Sequence, residues 1–120
     1  MVLDDDPLAL QSMGSLLQNW GMSCELANSV NQALAMSKNC RPDIIITDYR
    51  LSEERTGAQA IALVRLELGE QMPALIVTGD TSPQRLREAS ASGVPLLHKP
   101  ANPDDVRRLI SQALAQNFTD

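Results

Sequence analysis

The chain has 120 residues, a formal net charge of −5 and a pI near 4.7, with 15 acidic residues against 10 Lys and Arg. This length leaves room for one domain around a single core, and the acidic balance argues against a nucleic-acid or anionic-membrane surface, since both depend on clustered Lys and Arg. No apolar run approaches the roughly 20 residues that span a bilayer, and the start lacks a basic segment followed by an apolar stretch, so we expect a soluble, cytoplasmic domain.

The first apolar run, Met1–Leu3, is typical of the end of a strand whose beginning is missing, because strands usually have about 5 or 6 residues. Three aspartates follow, and Pro7 is well placed for the first turn of a helix. Apolar residues then recur at three- and four-residue steps, which predicts a helix over Leu8–Trp20. We expect Gly21 to end this helix.

The next unit carries a weaker pattern. A short alternation of apolar and polar residues predicts a strand over Ser23–Ala27. Ser29 lies three residues before a glutamine, the spacing of a capping box, which predicts a helix over Val30–Lys38. The two cysteines, Cys24 and Cys40, have no partners at metal-ligand spacing and are expected to be reduced, buried thiols.

The stretch Asp43–Arg50, with the sequence DIIITDYR, organises the rest of the chain. Its isoleucines form a short apolar run without alternation, which is typical of a strand covered on both faces. Asp48 falls where this strand would end, and ligands of open α/β sheets bind at the carboxyl ends of the strands. A polar connection over Leu51–Gly57 follows, and the spacing of Ile61, Val64 and Leu68 predicts a third helix that Gly69 closes.

The remaining segments repeat the same alternation. Ala74–Thr78 is a second continuous apolar run and predicts a buried strand. A helix is expected between Pro83 and Gly93, and a last strand over Val94–Leu97. Asn102 is a suitable N-cap and Pro103 a suitable first residue for the final helix, which has the clearest apolar periodicity of all.

Strands that alternate with helices five times predict an α/β fold with a doubly wound, five-stranded parallel sheet. Right-handed crossovers would bring the strand ends at Asp4, Asp5, Asp48, Thr78 and Lys99 to one edge. Carboxylates about 4 Å apart repel by several kcal/mol at the rim of a protein, so a cation must offset them. Mg2+ suits such a site because it prefers carboxylate, carbonyl and water oxygens.

Four motifs in this order resemble the receiver domain of two-component response regulators, and the resemblance covers nearly the whole chain. They are DDDP after the first strand, ITD ending the third, VTG ending the fourth and HKP after the fifth. Each motif is weak alone, whereas all four at predicted strand ends are specific. The resemblance implies a flavodoxin-like (βα)5 fold whose first strand is truncated here.

Carried over by position, the resemblance implies that Asp48 accepts a phosphoryl group from a phosphohistidine, with Thr78 and Lys99 binding the phosphoryl oxygens. The donor would be a histidine kinase or a histidine phosphotransfer domain. The domain would then be a phosphoacceptor rather than a turnover enzyme. Leu96 departs from the family, which commonly has Tyr or Phe three residues before the lysine.

The resemblance also implies a Mg2+ site. Asp5 would bind the ion directly, Asp4 would act mainly through a water molecule, and Asp48 and the backbone carbonyl of Arg50 would complete the protein ligands. Asp6 falls outside this set, and we expect its carboxylate to interact with the N-terminus of the following helix instead.

The segments DYRL and LLHKP are most like receivers at the C-terminus of hybrid sensor histidine kinases, which would make the parent chain a kinase. The alternative is a stand-alone response regulator or one with a C-terminal effector domain. By resemblance, the last two helices offer a partner face, including one for a homodimer. We expect no direct contact with nucleic acid or membrane.

Two other classes of function remain open at this stage. One is an interaction module of the same fold that is never phosphorylated. The other is an enzyme on the same topology, but a phosphatase of the haloacid dehalogenase type has a second Asp where this chain has Arg50, and the acidic DDDP segment would repel a flavin phosphate. His98 has no second ligand nearby in sequence, and we expect a partly exposed strand residue.

Overall fold

The computed structural model describes residues 1–22, 24–40, 42–51, 56–69, 72–79, 87, 94–98 and 102–117. In these ranges the strands are β1 (Val2–Leu3), β2 (Leu26–Ala27), β3 (Ile45–Asp48), β4 (Ala74–Thr78) and β5 (Leu96–His98). The helices are α1 (Pro7–Asn19), α2 (Val30–Asn39), α3 (Gly57–Leu68) and α4 (Pro103–Asn117). None of these helices is long and apolar enough to cross a membrane.

All strand pairs are parallel, and the sheet has the order β2-β1-β3-β4-β5. The chain therefore winds first from β1 to the edge strand β2, and then from β3 through β4 to the other edge at β5. This confirms the predicted doubly wound α/β fold. In such a sheet the loops that follow neighbouring strands β1 and β3 run in opposite directions, which opens a crevice at their carboxyl ends.

Helices cover both faces of the sheet. On one side, which we call the α2–α3 face, α2 and α3 bury Ala33, Ile61 and Val64 against the sheet. On the other side, the α1–α4 face, α1 and α4 bury Leu17 and Val106 with the opposite side chains of the strands. Because strand side chains alternate, every strand contributes to both layers, as the continuous apolar runs predict.

The helix ends follow the sequence signals. The side chains of Asp6, Ser29 and Asn102 each accept a hydrogen bond from a first-turn backbone N–H, at 3.1, 3.1 and 2.8 Å. Gly21 and Gly69 follow α1 and α3 with φ values of +81° and +70°, which L side chains rarely adopt. The observed bounds of α1 and α2 lie within one residue of the predicted ones, whereas α3 begins at Gly57, four residues before its first predicted apolar residue, Ile61.

Two strands differ from the expectation. Within the described residues β2 is confined to Leu26–Ala27, and β5 begins two residues later than predicted and includes His98. The bounds of β5 are set by its neighbour, because the ladder with β4 runs to the pair Thr78 and His98. The helix predicted between Pro83 and Gly93 lies outside the described residues, apart from Arg87.

Both cysteines are free, as predicted, but they are not both buried. Cys40 is exposed at the end of α2, so the prediction of a buried thiol was wrong there. Cys24 is partly buried beside the α1–α4 face, and desolvation by burial raises the pKa of its thiol.

Candidate functional site

Three carboxylates meet at the carboxyl edge of the sheet. Asp4 and Asp5 follow β1, Asp48 ends β3, and one oxygen of each lies within 4.8 Å of the others. Asp4 is buried, Asp48 is partly buried and Asp5 is exposed. The adjacency of β1 and β3 in the sheet produces this cluster, which confirms that the sequence-predicted carboxylates come together.

The orientation of Asp4 is fixed by the turn that leads into α1. Its Oδ1 accepts a hydrogen bond of 2.9 Å from the backbone N–H of Asp6. Asp6 itself turns to the helix, where its Oδ1 accepts the N–H of Leu8 at 3.1 Å. The expectation that Asp6 lies outside the carboxylate cluster and caps α1 is therefore confirmed.

The backbone just after Asp48 is held by two neighbouring elements. The N–H of Tyr49 donates to the carbonyl of Val77 on β4 at 3.1 Å, and the carbonyl of Tyr49 accepts the N–H of Gly57 at 2.6 Å. A Cβ atom on Gly57 would collide with the carbonyl oxygen of Asp48. The first residue of α3 therefore packs directly against the backbone of Asp48, and only glycine leaves that space.

Arg50 is paired with Thr56 through an isolated antiparallel bridge. Thr56 is also the N-cap of α3, in a capping box where its Oγ1 accepts the N–H of Gln59 at 3.2 Å and the Gln59 side chain accepts the Thr56 N–H at 3.0 Å. The bridge thus joins the residue that follows β3 and Tyr49 to the N-cap of α3. Sequence reasoning missed this capping box, although the pattern T-x-x-Q at Thr56 carries the signal.

Thr78 and His98 lie at the same edge on the other side of Asp48. Thr78 ends β4 one residue beyond Val77, the ladder partner of Asp48, and is buried. His98 pairs with Thr78 and is exposed, which confirms the expectation of a strand residue. Lys99, the residue after His98, lies outside the described residues, so its predicted place beside Asp48 stays a prediction.

The carboxylate cluster fits a hard cation. Oxygen atoms on opposite sides of a Mg2+ ion are about 4.2 Å apart, given Mg–O distances of about 2.1 Å. Carboxylate oxygens that lie within 4.8 Å of one another therefore suit a Mg2+ ion. Some of the carboxylates could bind this ion directly, and another could bind it through a water molecule. Without a cation, two unit charges 4 Å apart repel by about 4 kcal/mol at an effective dielectric constant of 20.

A family model for the response regulator receiver domain matches residues 1–111. The chain belongs to this receiver family. The receiver is 31% identical over 120 residues to the transcriptional regulatory protein ZraR of Escherichia coli K12, which covers 99% of this chain but 27% of that protein. It is 29% identical over 114 residues to an uncharacterized 14.6 kDa protein of Leptolyngbya boryana, covering 93% of this chain and 86% of that one.

This receiver therefore spans about a quarter of the length of the transcriptional regulators it matches. Solved structures show the same fold at similar length. Vibrio cholerae chemotaxis protein CheY4 superposes with a TM-score of 0.82 at 30% identity, covering 93% of this chain and 94% of that one. A receiver domain protein of Clostridium thermocellum gives a TM-score of 0.85 at 25% identity, covering 98% and 94%.

Proposed function

We propose that this receiver is a phosphoacceptor switch in which Asp48 accepts a phosphoryl group from the phosphohistidine of a histidine kinase or a histidine phosphotransfer domain. The observation that carries the proposal is the meeting of Asp4, Asp5 and Asp48 at the carboxyl edge of the sheet. A site for a cation beside a partly buried carboxylate is what phosphoryl transfer to that carboxylate needs. Membership of the receiver family supports the same conclusion.

In the proposed reaction an oxygen of the Asp48 carboxylate forms a bond to phosphorus while the bond from phosphorus to the imidazole nitrogen breaks. The imidazole leaves with the electron pair of that bond and takes up a proton. Because the carboxylate attacks in its ionised form, no general base is required. Phosphoryl transfer has a loose transition state, so positioning and charge neutralisation supply most of the catalysis.

We assign the cation site to the carboxylates of Asp4, Asp5 and Asp48 and to the backbone carbonyl of Arg50. A bound Mg2+ supplies charge neutralisation for the incoming phosphoryl oxygens. The residues of the chain supply its position: Asp4 is held by the turn into α1, and Arg50 is held by its bridge to Thr56.

Thr78 and Lys99 are the proposed partners of the phosphoryl oxygens. Thr78 has a hydroxyl at the end of β4, on the strand next to Asp48, and a hydroxyl can donate to an oxyanion. Lys99 follows His98, whose ladder partner is Thr78, so the sequence position of the lysine suits the same oxygens. Its ammonium would offset the negative charges of the carboxylates and of the phosphoryl group.

We infer that the output of the switch depends on aliphatic packing. Leu96 occupies the position where the family commonly has an aromatic side chain, and here it packs, partly buried, against the core of the α2–α3 face. A change at Thr78 would therefore reach the partner surface through a leucine rather than through a rotating ring. Partner binding by an unphosphorylated domain is the alternative, and it leaves the carboxylate cluster without a role.

The parent chain is a further part of the proposal. The sequence motifs favour the receiver of a hybrid histidine kinase, whereas the similarity to the much longer transcriptional regulators favours a receiver joined to an effector domain. In both settings the receiver would serve the same phosphorelay. A homodimer through the last two helices stays a family-based prediction.

The test of the proposed function is the substitution Asp48→Asn. We expect it to abolish phosphoryl uptake from a phosphorylated donor, measured with radiolabelled phosphate, because the amide is not a nucleophile. The matched control is Asp43→Asn, an exposed aspartate just before the other end of β3, which should label like the wild type. Full labelling of Asp48→Asn would contradict the proposal.

A second measurement needs no donor. Beryllium trifluoride with Mg2+ mimics the aspartyl phosphate, and we expect it to shift the amide resonances of Asp48, Thr78 and Gly79 in the wild type but not in Asp48→Asn. An unchanged wild-type spectrum at saturating reagent would count against the phosphoacceptor role.

A further inference from the structure

Thr47 is a polar residue within an apolar layer of the sheet. It is 1% exposed, and its ladder partners on the two neighbouring strands are Leu3 and Ile76, which belong to the buried cluster of the α2–α3 face. Valine has almost the same shape and would bring no hydroxyl into this layer. The hydroxyl of Thr47 therefore needs a partner within the protein, because a buried polar group without a hydrogen bond lowers stability.

The hydroxyl binds the backbone of the next residue. Oγ1 of Thr47 donates to the backbone carbonyl of Asp48 at 3.0 Å. The last pair of the ladder between β1 and β3 is Leu3 with Thr47, so this carbonyl lies beyond the end of that ladder. A side chain thus holds the backbone of Asp48 at the point where pairing with β1 has ended.

The direction of this hydroxyl is set by the start of α3. A Cβ atom added to Gly57 would come within 2.9 Å of Cγ2 of Thr47, so the methyl group of Thr47 lies directly beside the first residue of the helix. A β-branched side chain has a stiff χ1 angle. With the methyl group packed against Gly57, Oγ1 stays directed at the carbonyl of Asp48.

The following main chain is held at two further points. The N–H of Tyr49 donates to the carbonyl of Val77 at 3.1 Å, and the carbonyl of Tyr49 accepts the N–H of Gly57 at 2.6 Å. Of these three hydrogen bonds, the one from Thr47 is made by a side chain, so a substitution can remove it. Arg50 comes next in the chain, and a rotation of the preceding peptide units would move its carbonyl.

We propose that Thr47 is a positioning residue for the cation site, whose hydroxyl fixes the main chain that leads from Asp48 to Arg50. Two of the groups assigned to Mg2+ come from this stretch, the carboxylate of Asp48 and the carbonyl of Arg50. This role rests on the proposed function, because the ligands are assigned there. Mg2+ demands near-ideal octahedral geometry with distances of about 2.0–2.1 Å, so a small displacement of its ligands weakens binding.

The test is the substitution Thr47→Val, which keeps the shape of the side chain and removes the hydroxyl. A methyl carbon does not fit at 3.0 Å from the carbonyl oxygen of Asp48, since such contacts are about 3.3–3.6 Å long, so that carbonyl must shift. We expect the Kd for Mg2+, from NMR titration, to rise about tenfold, as happens when a hydrogen bond behind a metal ligand is lost. The amide resonances of Tyr49 and Gly57 should move even without Mg2+.

Thr47→Ser is the rescue variant. It keeps the hydroxyl and loses the methyl group, so we expect its Kd for Mg2+ to lie within about threefold of the wild-type value. Thr47→Ala differs from it by the hydroxyl alone. This second pair gives the same comparison if Thr47→Val does not fold, and the alanine variant should again bind Mg2+ more weakly than the serine variant.

Ser37→Ala is the matched control for the loss of a buried hydroxyl. Oγ of Ser37 donates to the carbonyl of Ala33 at 2.8 Å, and Ser37 is 2% exposed. It lies near the end of α2 that leads to the start of β3, away from the carboxylates. We expect Ser37→Ala to lower the urea midpoint, as Thr47→Val does, and to leave the Kd for Mg2+ unchanged.

The outcomes separate this role from the proposed function. If Thr47→Val binds Mg2+ like the wild type, or if the serine and alanine variants bind it equally, the role of Thr47 is wrong and the phosphoacceptor function stands. If the wild type itself binds no Mg2+, the cation site of the proposed function is wrong, and the role of Thr47 is wrong with it.

Discussion

The two faces of the sheet are packed differently. On the α2–α3 face, Ala33, Ala60, Ile61 and Val64 are each at most 1% exposed. On the α1–α4 face Val106 of α4 is also fully buried, but the apolar side of α1 is mostly half-buried, and a cavity of about 250 Å³ lies between α1 and strands β1, β3 and β4. One face is therefore closely packed, while the other leaves space next to the carboxylates.

The difference follows from where small residues occur. On α3, Gly57 and Ala60 let the helix lie close to the strand that carries Asp48. On α1, Gly14 allows the close approach at β2 instead, away from the carboxylates. The close-packed face thus holds β3, the strand that ends at Asp48, in place, and the looser face leaves room at the carboxylate cluster.

The largest effect on stability is expected from truncating the close-packed face. Ile61→Ala should lower the free energy of unfolding by about 2–5 kcal/mol, because Ile61 is 1% exposed and the surroundings of a truncated core residue relax only partly into the gap. Leu16→Ala, at the cavity on the other face, should cost less, since Leu16 is only partly buried. Urea unfolding measures both, and equal losses would mean that the two faces are packed alike.

A pair of glycine substitutions gives the next largest contrast. Gly57→Ala should cost about 1–3 kcal/mol, because the new Cβ meets the backbone oxygen of Asp48, which cannot move aside. Gly14→Ala meets only the flexible end of the Leu26 side chain and gains helix propensity, so its change should stay within about 1 kcal/mol.

The glycine pair also tests the link between packing and site. Gly57→Ala should weaken the spectral response of Asp48 to beryllium trifluoride, and Gly14→Ala should leave it unchanged. A full response from a folded Gly57→Ala protein would show that the contact at Gly57 does not control the position of Asp48.

The smallest effect is expected at the surface of the close-packed face. Lys38 and Glu67 form an ion pair of 3.5 Å between α2 and α3, and their side chains are 64% and 39% exposed. Lys38→Met should change the free energy of unfolding by less than about 1 kcal/mol, since water and salt screen such pairs. A larger loss would show that the ion pair, rather than apolar burial, holds the two helices together.

Local signals in the sequence were enough to find most elements. The caps at Asp6, Ser29 and Asn102 and the glycine after α3 act through their nearest neighbours in the chain, so their effect could be read without the fold. The same holds for β4, whose continuous apolar run predicted its bounds, Ala74–Thr78, as they are found. The T-x-x-Q signal at Thr56 was equally local and was overlooked.

Other features depend on which strands become neighbours. The bounds of β5 are set by its ladder with β4, which no pattern within β5 contains. The contact between Gly57 and the Asp48 carbonyl arises only once α3 packs against β3. The cavity beside α1 likewise depends on the angle at which that helix packs on the sheet. That angle is set by side-chain contacts over the whole face.

The sequence by itself determined the alternation of strands and helices and the residue types at the strand ends, because periodicity and capping act over a few residues. Only the tertiary structure decided that the carboxylates following β1 and ending β3 lie within 4.8 Å of one another, and that an apolar space adjoins them. Those distances depend on strand order and helix packing, which join residues more than 40 positions apart in the chain.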